Sequence, residues 1–317
     1  MREITVVIPN WNGKKYLVSC LRALSENTEL EIETIVVDNG STDGSIEEAK
    51  EIYPNVRYIL LDKNYGFSKA VNEGIKKAST PYVLLLNNDT KIKKRFVSAL
   101  LQTMKSDEKI FSVEAKMLQY NHPEKIDSAG TFYNALGWAF ARGKGSSATK
   151  YKDRCDTFAA CAGAALYRKS ILKKIGLFEE VFFAYLEDID LGYRAKIHGY
   201  RNVYEPKAQV YHVGSAASGS KHNAFKVRFS ARNNIYLIYR NMPWIQILVN
   251  LPLLAIGFGA KILFFAKKGL LKAYLSGLKE GMELCGQNEK PKFIDKKWTN
   301  YVRIQWELWK NIVKKRW

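Results

Sequence analysis

Cysteine is scarce in this sequence: Cys20, Cys155, Cys161 and Cys285 are the only four in 317 residues. No two of them form a Cys-x-x-Cys pair and their density is far below that of a disulfide scaffold, so reduced thiols in a cytosol are expected. The opening apolar run, Ile4 to Ile8, is too short for the core of a secretory signal. A Gly-x-Gly-x-x-Gly turn and a P-loop are both missing. Pro9-Asn10-Trp11-Asn12-Gly13 follows the first apolar run instead, which argues against a dinucleotide enzyme. Acidic residues are the minority charge, 31 against 50 Lys and Arg, for a net charge of +19. That basicity comes without a helix-turn-helix, zinc-finger or RNA-binding signature, so nucleic acid is not expected as a partner. Internal repeats and low-complexity segments are also absent.

Against these absences stand three apolar runs that each end in polar residues and glycines: Val7 to Gly13, Val36 to Ser45 and Tyr82 to Thr90. In an open parallel sheet, ligands sit outside the carboxyl ends of the strands, so three such ends converge on one crevice. Pro9, Asn10 and Trp11 close the first run. Asp38 closes the second, where a carboxylate can accept the N3-H of uracil or thymine and Trp11 can stack on the base. Asn39, Gly40, Ser41 and the small polar residues up to Ser45 suit a tight turn that caps the next helix and leaves N-H groups for a ligand. The third run delivers Asn87, Asn88 and Asp89, oxygen donors of the kind that a hard cation bridging a pyrophosphate wants.

With Asn64 to Gly74 and Phe183 to Arg194 added, the set resembles the inverting glycosyltransferases of family 2, nearest the rhamnosyltransferase-like members, over roughly residues 3 to 240. The resemblance implies a mixed α/β GT-A fold, a mostly parallel twisted sheet flanked by helices, with a donor half at 1–115 and an acceptor-binding and catalytic half at 116–243. Beyond it, charge and composition point to a basic tail at 244–317, a C-terminal helical membrane-associating extension. By the same likeness Asn64, Gly66 and Phe67 lie beside the donor, Arg232 in the Ala231 to Asn241 block meets a phosphate, and Asn88 lies at the metal motif. The family's Asp-x-Asp pair is Asn87-Asn88-Asp89 here, so one carboxylate ligand is replaced by a weaker amide oxygen. His212, matching a late histidine of similar enzymes, is the expected supplement, and imidazole among oxygens would admit Mn2+ alongside Mg2+. The catalytic carboxylate aligns with Glu187-Asp188, of which Asp188 is favoured as general base. Asp190 and Arg194 stand four apart and are expected to pair.

The implied activity is transfer of one sugar from a dTDP- or UDP-sugar, rhamnose favoured, to a hydroxyl of a lipid-linked or growing oligosaccharide. The Gln-x-x-Arg-Trp run of processive synthases is missing, which favours single transfer. A sugar-1-phosphate nucleotidyltransferase and a non-catalytic, membrane-docked nucleotide-sugar-binding scaffold are the alternatives. Residues 244–317 hold 14 Lys and Arg against 5 Asp and Glu. They open with the apolar run Trp244 to Ala266, interrupted by Gln246, Asn250, Pro252 and Lys261. Trp298, Val302, Trp306, Trp309 and Val313 then recur at helical spacing. An anionic membrane surface at the cytoplasmic face suits that composition, with in-plane or shallow insertion favoured over spanning. Packing on the body or in a homo-oligomer stays open as the other reading. Asp127 to Ser147, rich in Gly, Ser and Ala, is expected to be a loop over the donor.

Overall fold

The structure is a computed structural model in which residues 2–214 and 223–314 are described; Ser215 to Ser218, and Trp317, lie outside the described residues. The first half alternates strands and helices: β1 (Ile4–Asn10), α1 (Leu17–Asn27), β2 (Ile32–Asn39), α2 (Ser45–Ile52), β3 (Arg57–Leu61), α3 (Phe67–Lys77), β4 (Tyr82–Leu86), β5 (Thr90–Ile92) and α4 (Phe96–Lys105). The second half is strand-rich: β6 (Ile110–Gln119), β7 (Ile126–Ser128), β8 (Thr131–Asn134), β9 (Trp138–Ala141), β10 (Cys155–Thr157), β11 (Ala164–Arg168), α5 (Lys169–Ile175), α6 (Glu187–Ile197) and β12 (Arg201–His212). Four helices end the chain: α7 (Ala224–Asn241), α8 (Trp244–Lys267), α9 (Leu271–Gln287) and α10 (Trp298–Lys310).

The main sheet runs β10-β12-β6-β11-β4-β1-β2-β3, with β5 on β12 and β7 on β6. Strands β4, β1, β2 and β3 are parallel, as is the β6–β12 pair, and β11 inserts antiparallel between β4 and β6. The apolar runs form strands because both sheet faces are covered. Val6, Ile8, Val36, Leu84 and Leu86 pack on the face shared with α1 and α4. Val7, Val37, Val83 and Leu85 point the other way, toward α3 and α5, so the period-2 geometry splits one continuous apolar string between two cores.

The segment from Asp127 to Ser147 is not the loop its composition implied. It holds the end of β7 and the whole β8–β9 hairpin, turned at Ala135-Leu136-Gly137, with Phe132, Tyr133 and Ala135 fully buried. Phe132 and Tyr133 are adjacent and all four residues of β8 are buried, so burial of both strand faces outweighs the glycines, which serve the turns: Gly130 and Gly137 have φ of +116° and +71°. The hairpin belongs to a third core with Phe158 and Tyr193 from the body and Leu237, Leu254 and Leu308 from the terminal helices.

Within α8, Gln246, Asn250, Leu254 and Gly257 are the buried positions, spaced as one helix face. Tyr193 donates its hydroxyl to Gln246 (2.7 Å), Asn250 exchanges hydrogen bonds with Gln305 and accepts from Trp309 Nε1 (3.2 Å), and Lys261 donates to the Gly137 carbonyl (3.3 Å). The polar residues that interrupt the apolar run therefore face the protein. Ile245, Leu248, Ile256 and Leu263 are among the apolar residues left exposed, at 62–70%, together with Trp244, Val249, Leu251 and Phe264. In α10 the buried stripe is Tyr301, Ile304 and Leu308, while Trp298, Val302 and Trp306 lie outside. Trp309, read with them in the sequence, is half-buried against Asn250.

Candidate active site

The carboxyl ends of β1, β2 and β4 meet at one sheet edge, and Asn10 fastens them together. Its side-chain amide donates to Asp38 Oδ1 (2.9 Å), and its carbonyl oxygen accepts from Asn88 Nδ2 (2.7 Å). Asp38 also accepts from the Ser41 hydroxyl (2.6 Å) and backbone N-H (2.9 Å). A carboxylate has about four lone-pair sites, so one remains on Oδ2 for a pyrimidine N3-H. Trp11, directly after Asn10, is 40% exposed and available for stacking. Pro9 precedes both, paired with Val37 of β2.

Asn39 is buried and turned to the scaffold. It donates to Asn64 Oδ1 (2.9 Å) and the Gly66 carbonyl (3.1 Å) and accepts from Tyr65 N-H (2.9 Å), so it fixes the turn into α3. Gly66 has φ +87°, and a Cβ there would lie 2.5 Å from the Phe183 carbonyl oxygen. That carbonyl accepts the N-H groups of Phe67 (2.6 Å) and Ser68 (3.3 Å), so the N-terminus of α3 is capped by the segment leading to Glu187.

At the end of β4, Asn87 pairs its backbone N-H with the Gly163 carbonyl (2.9 Å). A Cβ on Gly163 would lie 3.0 Å from the Asn87 amide, which accounts for the glycine at that position. Asp89 is buried, with Oδ1 3.5 Å from His212 Nε2, and His212 Nδ1 lies 2.8 Å from Asp127 Oδ2. Burial alone would push the His212 pKa down, but the hydrogen bonds and charges of Asp127 and Asp89 outweigh it and raise it to about 9. Burial opposes the ionised form of Asp127 too, yet His212 and Lys144 bring its carboxyl down to about 2. A histidine held by a carboxylate on one nitrogen while the other faces a second carboxylate is the supported-ligand arrangement of metal sites. The donor chemistry of Asp89 and His212 would suit a divalent ion, although no cluster of three or more His, Cys, Asp or Glu occurs among the described residues.

The opposite wall of the crevice is built by the turn before α6. Phe183, Tyr185 and Leu186 have φ of +61°, +73° and +69°, a left-handed run of bulky residues that needs outside support. Asn233 of α7 supplies it, donating its amide to the carbonyls of Phe182, Ala184 and Tyr185 (2.8–2.9 Å). Arg232, expected at a phosphate, directs Nη2 to the Val181 carbonyl and Nε to Asn233 (2.9 Å), with its guanidinium over the Phe229 ring. The turn delivers Glu187 and Asp188 to the first turn of α6. Glu187 is buried with Oε2 unpartnered, whereas Asp188 is more open and accepts from Ile189 N-H (2.8 Å). Burial, and for Glu187 also the neighbouring Asp188 charge, raises both carboxyls toward neutrality. Asp190 takes the structural duty that its spacing implied, binding Arg194 through Oδ2 (2.7 and 2.9 Å) and Asn241 through Oδ1 (2.8 Å).

Residues 5–176 match the model of glycosyl transferase family 2, more than half the chain. The chain belongs to glycosyltransferase family 2. It is 26% identical over 264 residues to the N-acetylglucosaminyl-diphospho-decaprenol L-rhamnosyltransferase of Mycobacterium tuberculosis, covering 76% of this chain and 86% of that protein. Among solved structures it is similar to GalNAc-T7 with UDP, GalNAc and Mn2+ (TM-score 0.62, 13% identity, 76% of this chain and 48% of that one). Staphylococcus aureus TarS 1–349 in complex with UDP-GlcNAc aligns with TM-score 0.55 and 19% identity over 92% of this chain and 95% of that one. The family and these likenesses bear out the GT-A fold and glycosyltransferase activity.

Three residues of the site were missed in the sequence. Asp127 and Asn233 are isolated polar residues whose partners lie 85 and about 50 positions away. Glu114, fully buried in β6, accepts from Ser128 Oγ (2.7 Å) and from Thr131 N-H (2.9 Å) and Oγ1 (3.0 Å), and burial pushes its carboxyl up to about 7. The available signal was a carboxylate within the mostly apolar run Ile110 to Leu118, which also holds Lys116.

Proposed function

We propose that this glycosyltransferase moves one sugar from a dTDP- or UDP-sugar, rhamnose favoured, to a hydroxyl of a lipid-linked or growing cell-surface glycan, with inversion, at the cytoplasmic face of the membrane. One observation carries the reading: a carboxylate with a spare acceptor site for a pyrimidine, Asp38, shares the sheet edge with Asp89 and His212. Residues 1–115 serve the donor and 116–243 the acceptor. The Mycobacterium tuberculosis relative, named for a rhamnosyl transfer to a diphospho-decaprenol acceptor, supports the sugar and acceptor class.

Asp38 and Trp11 hold the base. A divalent ion on Asp89 and His212, with Asn87 beside them, would supply positive charge for the departing diphosphate. Asp188 takes the proton from the acceptor hydroxyl as its oxygen attacks the anomeric carbon. The bond from that carbon to the diphosphate oxygen breaks with its electrons on the nucleotide, and configuration inverts. The aromatic turn Phe182-Phe183-Ala184-Tyr185 walls the acceptor side against water. Docking on the bilayer is assigned to the exposed apolar residues of α8 and α10 among their lysines. Incubation with a panel of UDP- and dTDP-sugars and polyprenyl-diphosphate sugar acceptors, read by mass spectrometry, tests the reading. Transfer confined to purine-nucleotide donors would refute the base site, and transfer of no sugar but rhamnose would fix the donor.

A further inference from the structure

A cavity of about 360 Å³ opens where the end of α6, the α7–α8 junction and residues 290–294 meet. Arg194, Arg240, Lys290 and Lys292 line it with Trp244 and Phe293, and no acidic side chain joins them. The two arginines are engaged by Asp190 and Glu179 and shape the wall. Lys290 differs: it donates to the carbonyls of Tyr239 and Met242, with its ammonium over the rings of Tyr239 (4.8 Å) and Trp244 (4.9 Å). An ammonium has three donors, so one stays free, and Lys292 forms no ion pair among the described residues. Burial lowers the Lys290 pKa to about 8, so a bound anion would favour its charged form.

A second cavity, about 350 Å³, lies between α7, α8 and α9 and is lined by Ile235, Ile247, Leu251, Leu254, Phe258 and Cys285. Tyr239, the ring beneath Lys290, also lines this groove, so the basic and apolar compartments share a wall. Trp244 of the first cavity and Leu251 of the second are 62% and 54% exposed, so each cavity has an apolar side chain at the protein surface. A phosphate site joined to a hydrocarbon groove at an apolar surface complements one kind of molecule.

We propose that the two cavities together bind one anionic phospholipid of the bilayer, its phosphate against Lys290 and Lys292 and one acyl chain in the groove. The site is separate from the acceptor site. Asp188 and Ile197 mark opposite ends of α6, and nine residues at about 1.5 Å each put the pocket roughly 14 Å along the helix from the base. The inference rests on the reading that the tail faces a membrane, and the test separates the two.

The full chain is floated on phosphatidylcholine vesicles and on vesicles with about 30% phosphatidylglycerol, alongside Lys292→Glu, Lys290→Gln and Ala255→Phe, the last placed to fill the groove. Wild type is expected to prefer the anionic vesicles at least tenfold, with Lys292→Glu losing most of that preference and still floating on neutral vesicles. In calorimetry, monomeric dihexanoyl phosphatidylglycerol should bind wild type, bind Ala255→Phe at least fivefold more weakly, and outcompete inorganic phosphate. Equal anionic preference in Lys292→Glu, or phosphate binding as tightly as the lipid, overturns the pocket. Failure of the wild type to float on either vesicle overturns the membrane reading, and the soluble lipid still decides the pocket.

Discussion

Asp188 and Glu187 differ in what they can reach rather than in charge. Asp188 is the more open of the pair and accepts a hydrogen bond from Ile189 N-H (2.8 Å) in the first turn of α6. Asp188→Asn can keep that bond through its amide oxygen but cannot take a proton, so turnover should fall about 10² to 10⁴-fold with donor affinity unchanged in calorimetry. Because burial raises this carboxyl, activity should decline on the acid side well above the range of an ordinary aspartate. The Asp127–His212 pair carries a second prediction. A histidine raised to about 9 must lose its proton to bind a metal ion, so Mn2+ affinity should rise about tenfold per pH unit up to that value. In metal-free protein the sign is opposite: the stabilisation from His212 is complete below about pH 6.5 and is lost as pH climbs through about 9, roughly 3 kcal/mol in all. Asp127→Asn should weaken Mn2+ binding about 10 to 100-fold in calorimetry.

At the scale of elements, what was legible in the sequence depended on how far a residue's partners lie along the chain. The apolar runs of β1, β2 and β4 stop where polar residues begin, so the site edge, with Asn10, Asp38 and Asp89 on it, could be placed from local pattern alone. The hairpin β8–β9 was read as a loop because its burial comes from α7, α8 and α10, more than ninety residues downstream. The left-handed turn at Phe183 to Leu186 left no local mark either, since nothing in those side chains favours positive φ and the stabilising amide belongs to Asn233. That amide makes a clear prediction. Asn233→Ala strips donors from three carbonyls and should cost about 1–3 kcal/mol in denaturant unfolding. It should also lower turnover more than donor affinity, because the released turn carries Asp188. Asn233→Asp, which offers acceptors to carbonyls, should be no better.

For the whole molecule, the terminal helices have two opposed faces. Removing everything after Met242 would uncover Tyr133, Tyr193 and Leu237 from the third core, so truncation would confuse folding with docking. Substitution of exposed residues avoids this. Ile245→Ser, Leu248→Ser and Leu263→Ser together remove side chains at 67–70% exposure and should reduce flotation on phosphatidylcholine vesicles at least tenfold while leaving the unfolding midpoint within about 2 °C. The buried amides also bear on spanning: a helix that commits Gln246, Asn250 and Lys261 to the protein body presents only its other face to lipid.

The Phe183 carbonyl resting on the N-terminus of α3 has a consequence for fidelity. A glycosyltransferase can fail without being slow, by giving its activated sugar to water. The N-H groups of Phe67 and Ser68 bind that carbonyl, so the wall that carries Asp188 is fastened directly to the start of α3. Gly66→Ala would force a methyl to within 2.5 Å of that carbonyl and pry the latch apart. The expected signature is wasted donor: free sugar released per sugar transferred should rise several-fold, measured as the ratio of hydrolysed to acceptor-linked product, even where donor consumption barely changes. The glycine at position 66 would then set the yield of the reaction more than its speed.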